Sequence, residues 1–405
     1  MNRAALLLGS LLALACSGGE HGATGEPAGP DETPGSMNQT PSDGDPPTDE
    51  PVPVVDEVAN LPALQAEAYL GKVAPPVVGR VLSAEERAQI AAEGGAAIGK
   101  VVPAWLDEPG FVRAARRFVE LGLQVSGQLN GVDFDLPGNL VEHVVKSKRP
   151  WSEVLTSESC YDAQLQPVAC DTGAPFTAGV LTTRAYLIAR SSRFNLTRSS
   201  ALMKNFACQV YPQEEELQPR ILRERLIPMF QANTAEEQTD DRAKSGFGNG
   251  IGCYGCHGQF SLHAQLYVKF DDTGLYVPDA TGLQDPDGEL GRSFDGLMAS
   301  HLENPDEAAS ERSNMFGQEV ENLQAAAKIV AGQSTFAPCA ARRFLDFTLG
   351  VQNGAIDYDQ AIFEQVVSKA RAEHADPTLQ AIVLNLLTHP SVVLSVSESL
   401  SGAAQ

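Results

Sequence analysis

The chain is poor in positive charge: 29 Lys and Arg stand against 52 Asp and Glu over 405 residues, a formal net charge of −23. Phosphate backbones are bound through clustered cations, so no nucleic-acid partner is expected. Long apolar runs are equally scarce. Residues 4–15 form the longest, about half of what a membrane-spanning helix requires. No transmembrane segment is expected. Hydrolase and phosphate-binding signatures are missing too: there is no G-x-S-x-G, no Gly-rich loop ending in Lys-Ser or Lys-Thr, and no H-E-x-x-H. What remains is ordinary for a folded protein, with 43% hydrophobic and 20% charged residues.

The charge is unevenly spread. Residues 17–60 hold ten acids, eight Pro and seven Gly, with no Lys, Arg or aromatic residue. Such a segment cannot bury enough apolar surface to offset the entropy of ordering, and it reads as a disordered, self-repelling tether. Residues 61–405 carry 28 bases against 42 acids, so the part expected to fold is only moderately acidic.

Ahead of the tether, Met1-Asn2-Arg3 gives a short positive end and residues 4–15 an apolar segment of signal-peptide length, closing on Ala13-Leu14-Ala15-Cys16. The segment 1–16 resembles a bacterial lipoprotein signal, in which the Cys becomes the acylated first residue. It departs from that pattern in having Ala13, rather than Leu, three residues before the Cys. The resemblance implies lipidation at Cys16, a membrane anchor, and residence in the bacterial cell envelope, at the outer membrane or the periplasmic face. A plain secretory signal with Cys16 incidental is the alternative. Both readings take the chain out of the cytoplasm.

From residue 61 onward the hydrophobic pattern is mainly helical. Ser83 with Glu86 three residues on forms a capping box that opens a run to about Trp105. Further amphipathic stretches cover residues 111–123, 140–146, 179–190, 198–210, 318–331, 336–349, 358–372 and 378–387. Within one of them Val320, Leu323, Ala327 and Val330 recur at three- or four-residue spacing. Strand-like alternation is confined to residues 266–270, and turn-rich breaks fall near 129–139, 157–176, 232–252 and 271–292.

Cys253-Tyr254-Gly255-Cys256-His257 is the one string that carries chemistry. It has the form of a c-type haem attachment site. Two thiols one helical turn apart can form thioethers with the vinyl groups of one porphyrin, and His257 then lies beneath the ring as the proximal iron ligand. On composition alone a match to this pattern is expected roughly 0.002 times in the chain, so chance explains it poorly. A zinc site would need two more ligands, and the nearest, His263 and Cys208, make no second pair with metal-ligand spacing. A thioredoxin-like pair would want a βαβ setting, whereas residues 246–252 are Gly-rich in a helical chain. A structural disulfide across two intervening residues would be strained. One covalent haem c is expected.

In monohaem c-type cytochromes the opposite axial ligand is often a Met from a later loop. Met315 fits, in a segment Ser313-Asn314-Met315-Phe316-Gly317 that reads as a loop before the helix over 318–331. Met298 and His301, three apart, are rivals, and an open site is the other alternative. Met203 and Met229 read as core filler, and His143, His374 and His389 receive no role. Setting aside Cys16, Cys253 and Cys256 leaves Cys160, Cys170, Cys208 and Cys339, an even number in an oxidising compartment. Three pairings are open. The one expected is Cys160–Cys170, closing a short polar loop, with Cys208–Cys339.

Three further segments carry a resemblance. Residues 139–158, with Leu140-Val141-Glu142-His143-Val144-Val145 and Arg149-Pro150-Trp151-Ser152-Glu153-Val154-Leu155-Thr156, form the first. Ala178-Gly179-Val180-Leu181-Thr182 with residues 198–208 form the second. Phe336-Ala337-Pro338-Cys339-Ala340-Ala341-Arg342-Arg343-Phe344, ending at Leu349-Gly350, is the third. In this order they are similar to stretches of large secreted bacterial proteins of uncharacterised function that carry cytochrome c domains. A longer segment between Gly282 and Gly317 sets this chain apart from them. The resemblance implies an exported haem protein without an established reaction.

The expected architecture is therefore mainly α: a multi-helix domain over 61–240, a cytochrome c-like haem-binding helical domain over 241–350, and C-terminal helices over 351–405. The expected role is one-electron transfer at the cell envelope to a redox partner protein of unknown identity. The chain reads as an electron carrier rather than an enzyme. A peroxidase- or oxidase-like haem enzyme, and a binding or assembly module with structural haem, are the alternatives.

Overall fold

A computed structural model of the chain describes residues 56–129, 131–191, 195–210, 263–280, 310–351 and 359–402. Within these residues the protein is mainly α-helical. In chain order the elements are α1 (Ala63–Val78), α2 (Ala84–Glu93), α3 (Ile98–Leu106), α4 (Pro109–Leu123), the hairpin of β1 (Gln128–Leu129) and β2 (Val132–Asp133), α5 (Leu136–Lys146) and α6 (Glu153–Thr156). The hairpin of β3 (Cys160–Tyr161) and β4 (Pro167–Val168) follows, then α7 (Arg184–Ala189) and α8 (Leu196–Leu202). The last described part has the hairpin of β5 (Ser313–Met315) and β6 (Gln318–Val320), then α9 (Leu323–Ala331), α10 (Phe336–Leu349), α11 (Gln360–Glu373), α12 (Leu379–Leu387) and α13 (Pro390–Gly402). Among the described residues the strands pair only as antiparallel two-stranded hairpins.

These helices share one hydrophobic core running from Val58 to Val396, with Trp105, Tyr69, Phe111, Phe344 and Phe363 among its largest fully buried side chains. Helix α1 is central to it, touching α2, α4, α10 and α13. The buried Tyr69 hydroxyl donates to the carbonyl of Leu387 at 2.7 Å, fastening α1 to the end of α12. No single described helix is long and apolar enough to cross a membrane. The most apolar neighbours, α12 and α13, meet at a 54° bend and bury Ile382, Leu386, Val392 and Val393 completely.

The capping box at Ser83 is present: Oγ of Ser83 accepts from the amide of Glu86 at 3.2 Å, and the Ser83 amide donates to the Glu86 carboxylate at 2.6 Å. The run expected to reach Trp105 is broken into α2 and α3 by a tight turn at Gly94–Ala97. A Cβ on Gly95 would lie 1.7 Å from the carbonyl oxygen of Val58, so only glycine lets the chain pass there. Three other expectations are corrected. The helix expected over 318–331 starts at Leu323, where the Asn322 side chain accepts from the Ala325 amide; its first three residues are strand β6. The strand expected over 266–270 is a short helical turn, Gln265–Tyr267, because Leu266, Tyr267 and Phe270 are all buried and no exposed face exists to alternate with. The helix expected over 198–210 is α8, starting at Leu196, followed by a wider π turn, Met203–Ala207, that ends on a left-handed Cys208.

Glu86 does more than cap. Its carboxylate takes a bidentate pair from Arg80, both bonds 2.8 Å, and a bond from the indole of Trp105 at 2.5 Å. The Arg80 guanidinium above all, with the Ser83 amide and the indole, holds the Glu86 carboxyl down at about 2 against an ordinary value of 4.5. A depressed carboxyl contributes stability that is complete above its unfolded value and is lost as pH falls through its folded value. Glu86→Gln should therefore cost about 2 kcal/mol near neutrality. In urea denaturation series the difference from the parent should shrink as pH falls from 4.5 towards 2. A difference that stays constant across that window would show that the carboxylate charge is not what stabilises the joint.

Candidate functional site

Cys253, Cys256 and His257 lie outside the described residues, as do Cys16, Met229, Met298 and His301. The structure does describe the chain on either side of the pentapeptide and around Met315.

On the N-terminal side the described chain reaches Val210 just after a disulfide. Cys208, at the end of the π turn, is bonded to Cys339 on α10, with Cα atoms 5.3 Å apart. Cys160 and Cys170 form a second disulfide beside the β3–β4 hairpin, with Cα atoms 5.0 Å apart. These are the two expected pairs, and the Cα separations are ordinary for disulfides. The 208–339 link joins residues 131 apart in sequence and so encloses the pentapeptide within its loop.

On the C-terminal side the described chain resumes at a buried His263 and enters the core through Leu266, Tyr267 and Phe270. Two bonds tie this stretch to the chain that leads into Met315. The side-chain amide of Gln265 donates to the carbonyl of Ser310 at 2.5 Å, and the hydroxyl of Tyr276 donates to the Glu311 carboxylate at 2.7 Å. Lys269 stands 3.8 Å from the same carboxylate. Burial raises the Glu311 carboxyl and the Tyr276 hydroxyl above their usual values.

Met315 does not sit in a loop. It ends β5, opposite Gln318 in the hairpin register, and its side chain is completely buried. The two residues between the strands, Phe316 and Gly317, both have positive φ, 51° and 81°. That is the condition for a tight two-residue hairpin turn. The Gly317 amide donates to the Asn314 side chain at 2.9 Å. The hairpin packs on α9, and so does the turn Gln265–Tyr267. The segment that follows the pentapeptide and the segment that bears Met315 thus share a hydrogen bond, an acid–phenol contact and a helix.

Of the three histidines left without a role, His374 is exposed at the end of α11 and the other two make ring contacts. His143 stacks on Tyr161 with ring centres 3.8 Å apart, and Nε2 of His389 is 3.2 Å from the Gln365 side-chain oxygen. Met203 lies in the core, as expected of filler. Among the described residues no group of three His, Cys, Asp or Glu side chains is arranged to hold a metal ion.

Two features had no sequence signal. One is Arg198, completely buried in α8. Its guanidinium donates to the carbonyls of Leu187 at 2.9 Å, Phe270 at 2.9 Å and Asp271 at 2.7 Å, and to the Asn195 side chain at 2.9 Å. Burial lowers it to about 10, so it is charged at neutral pH. It anchors the stretch after the pentapeptide to α8. The other is a cavity of about 660 Å³ bounded by α4, the end of α7, α8 with its π turn, and α10. Its cations come from positions 117, 190, 204 and 343, too far apart in the chain to form a motif.

No protein-family model, curated protein or solved structure matches the chain.

Proposed function

We propose that the chain is an exported monohaem c-type cytochrome, anchored by a lipid on Cys16, that carries single electrons at the cell envelope. The pentapeptide Cys253-Tyr254-Gly255-Cys256-His257 carries this reading. Cys253 and Cys256 would hold the porphyrin through thioethers, and His257 would bind iron. Haem c would supply a one-electron couple between ferrous and ferric iron, which asks for no acid–base machinery from the protein. The chain would then attach the group through Cys253 and Cys256, bind its iron through His257, and shield it within a cytochrome c-like helical part.

Two observations support the assignment of Met315 as second ligand. His257 precedes His263 by six residues, a distance the chain spans in at most about 20 Å. Gln265, two residues further on, is bonded to Ser310, five residues before Met315.

The test is an absorption spectrum with pyridine haemochrome on full-length protein from a host that matures c-type cytochromes. A c-type spectrum whose pigment stays with the polypeptide in acidified organic solvent is expected. Colourless protein, or pigment that extracts, would overturn the reading. Met315→Ala should abolish the sulfur-to-iron charge-transfer band and open the iron to carbon monoxide. An unchanged band would reject Met315 and leave the attachment reading standing.

A further inference from the structure

We propose that the cavity between α4 and α10 is a binding site for a small multivalent oxyanion of the phosphate or polycarboxylate kind. Four cations line it, Arg117, Arg190, Lys204 and Arg343, with one carboxylate, Asp346. This concentration of positive charge stands in a chain whose net charge is −23.

The two inner cations are built in. Arg343 is 7% exposed, and its Nη1 donates to the carbonyl of Lys204 at 3.0 Å. Arg190 donates through Nε to the carbonyl of Leu123 at 3.1 Å and through Nη2 to that of Gly122 at 2.8 Å. These carbonyls end α4, so the helix dipole favours the Arg190 charge without neutralising it. Among the described residues neither guanidinium has a carboxylate at ion-pair distance, and each keeps donors outside these bonds. Gly122 makes the packing possible: a Cβ there would lie 2.9 Å from both Nη2 of Arg343 and Oδ1 of Asn205.

Four cations against the single carboxylate of Asp346 leave the buried charge under-compensated, which is costly, and the cost falls when an anion enters. Burial pushes both guanidiniums down, Arg343 to about 10; the Asp346 carboxylate opposes this at Arg343, and repulsion from Arg190 adds to it. An oxyanion between them would relieve the repulsion and occupy donors already oriented. Arginine forks suit the geometry of carboxylate and phosphate oxygens. At the rim, Arg117 and Lys204 are exposed and add attraction to an incoming anion. Arg117 also lies over the ring of Phe347, 5.8 Å from its centre. The volume is that of a small-molecule site.

Calorimetric titration of the full-length protein with pyrophosphate and, separately, with citrate tests the proposal and separates the two oxyanion sources. One of them should bind with one-to-one stoichiometry and weaken with added salt. Arg117→Gln with Lys204→Gln, both exposed positions, should keep the parent's thermal midpoint while weakening that binding about tenfold. Failure of both probes to bind, or binding that the double substitution leaves unchanged, would overturn the assignment. The heat readout does not depend on haem, so this result and that of the spectral test can fail separately.

Discussion

Replacing Cys253 and Cys256 together with Ser is expected to give exported, folded protein that retains no haem after denaturation. A thioether forms when a thiol adds across a vinyl group, and a hydroxyl in its place does not react in that way. The single substitutions should be graded, each leaving one thioether and a pigment still bound to the polypeptide but with a shifted haemochrome band. His257→Ala separates attachment from ligation. It should keep pigment on the chain through two sulfurs while changing the iron's spin state, because the imidazole is lost and the thioethers are not. Mass spectrometry of the intact chain with haem-stained gels reads all four variants. A double Ser variant that still carries covalent pigment would sink the assignment of these two thiols. The disulfides Cys160–Cys170 and Cys208–Cys339 serve as an internal control, since their removal should leave the haem stain in place.

Local signals in the sequence foretell structure where the physics is local. The capping box at Ser83 depends on residues three apart and is found as expected. The amphipathic stripe over 336–349 coincides with α10, whose buried positions include Phe336, Ala340, Phe344 and Leu345. The short hairpins leave no trace in the sequence because a strand of two or three residues has no period to detect. Met315 shows the limit: Asn314 and Gly317 announce a turn, but the register that makes it a hairpin is set by Phe316 accepting a positive φ. Residues 266–270 misled in the other direction, since a segment buried on every side offers no polar face by which to tell helix from strand. The two expected disulfide pairs are both formed, yet the basic cavity beside α10 was invisible. Arg190 and Arg343 acquire their meaning only when the carbonyls of Gly122, Leu123 and Lys204 are brought beside them.

Arg198→Met is expected to be the most damaging substitution in the described core, at about 3–5 kcal/mol. The side chains are similar in volume and the site is closed, so lost packing contributes little. What is lost is satisfaction. The carbonyls of Leu187 and Phe270 would be left buried with an apolar neighbour, each costing about 1–3 kcal/mol before relaxation, while that of Asp271 loses one of two donors and keeps the Gly274 amide. Arg198→Lys should recover less than half of this. Three acceptors are served by Nε, Nη1 and Nη2 of one rigid fork, and a single ammonium cannot reach them all. The mutation should also be felt at a distance, because Phe270 and Asp271 belong to the stretch that follows the pentapeptide. Urea denaturation should show the lower midpoint, and hydrogen exchange should show lost protection at residues 263–276 before the rest of the core opens. A variant within about 0.5 kcal/mol of the parent would mean that these carbonyls find other partners, and that Arg198 is not what holds that stretch against α8.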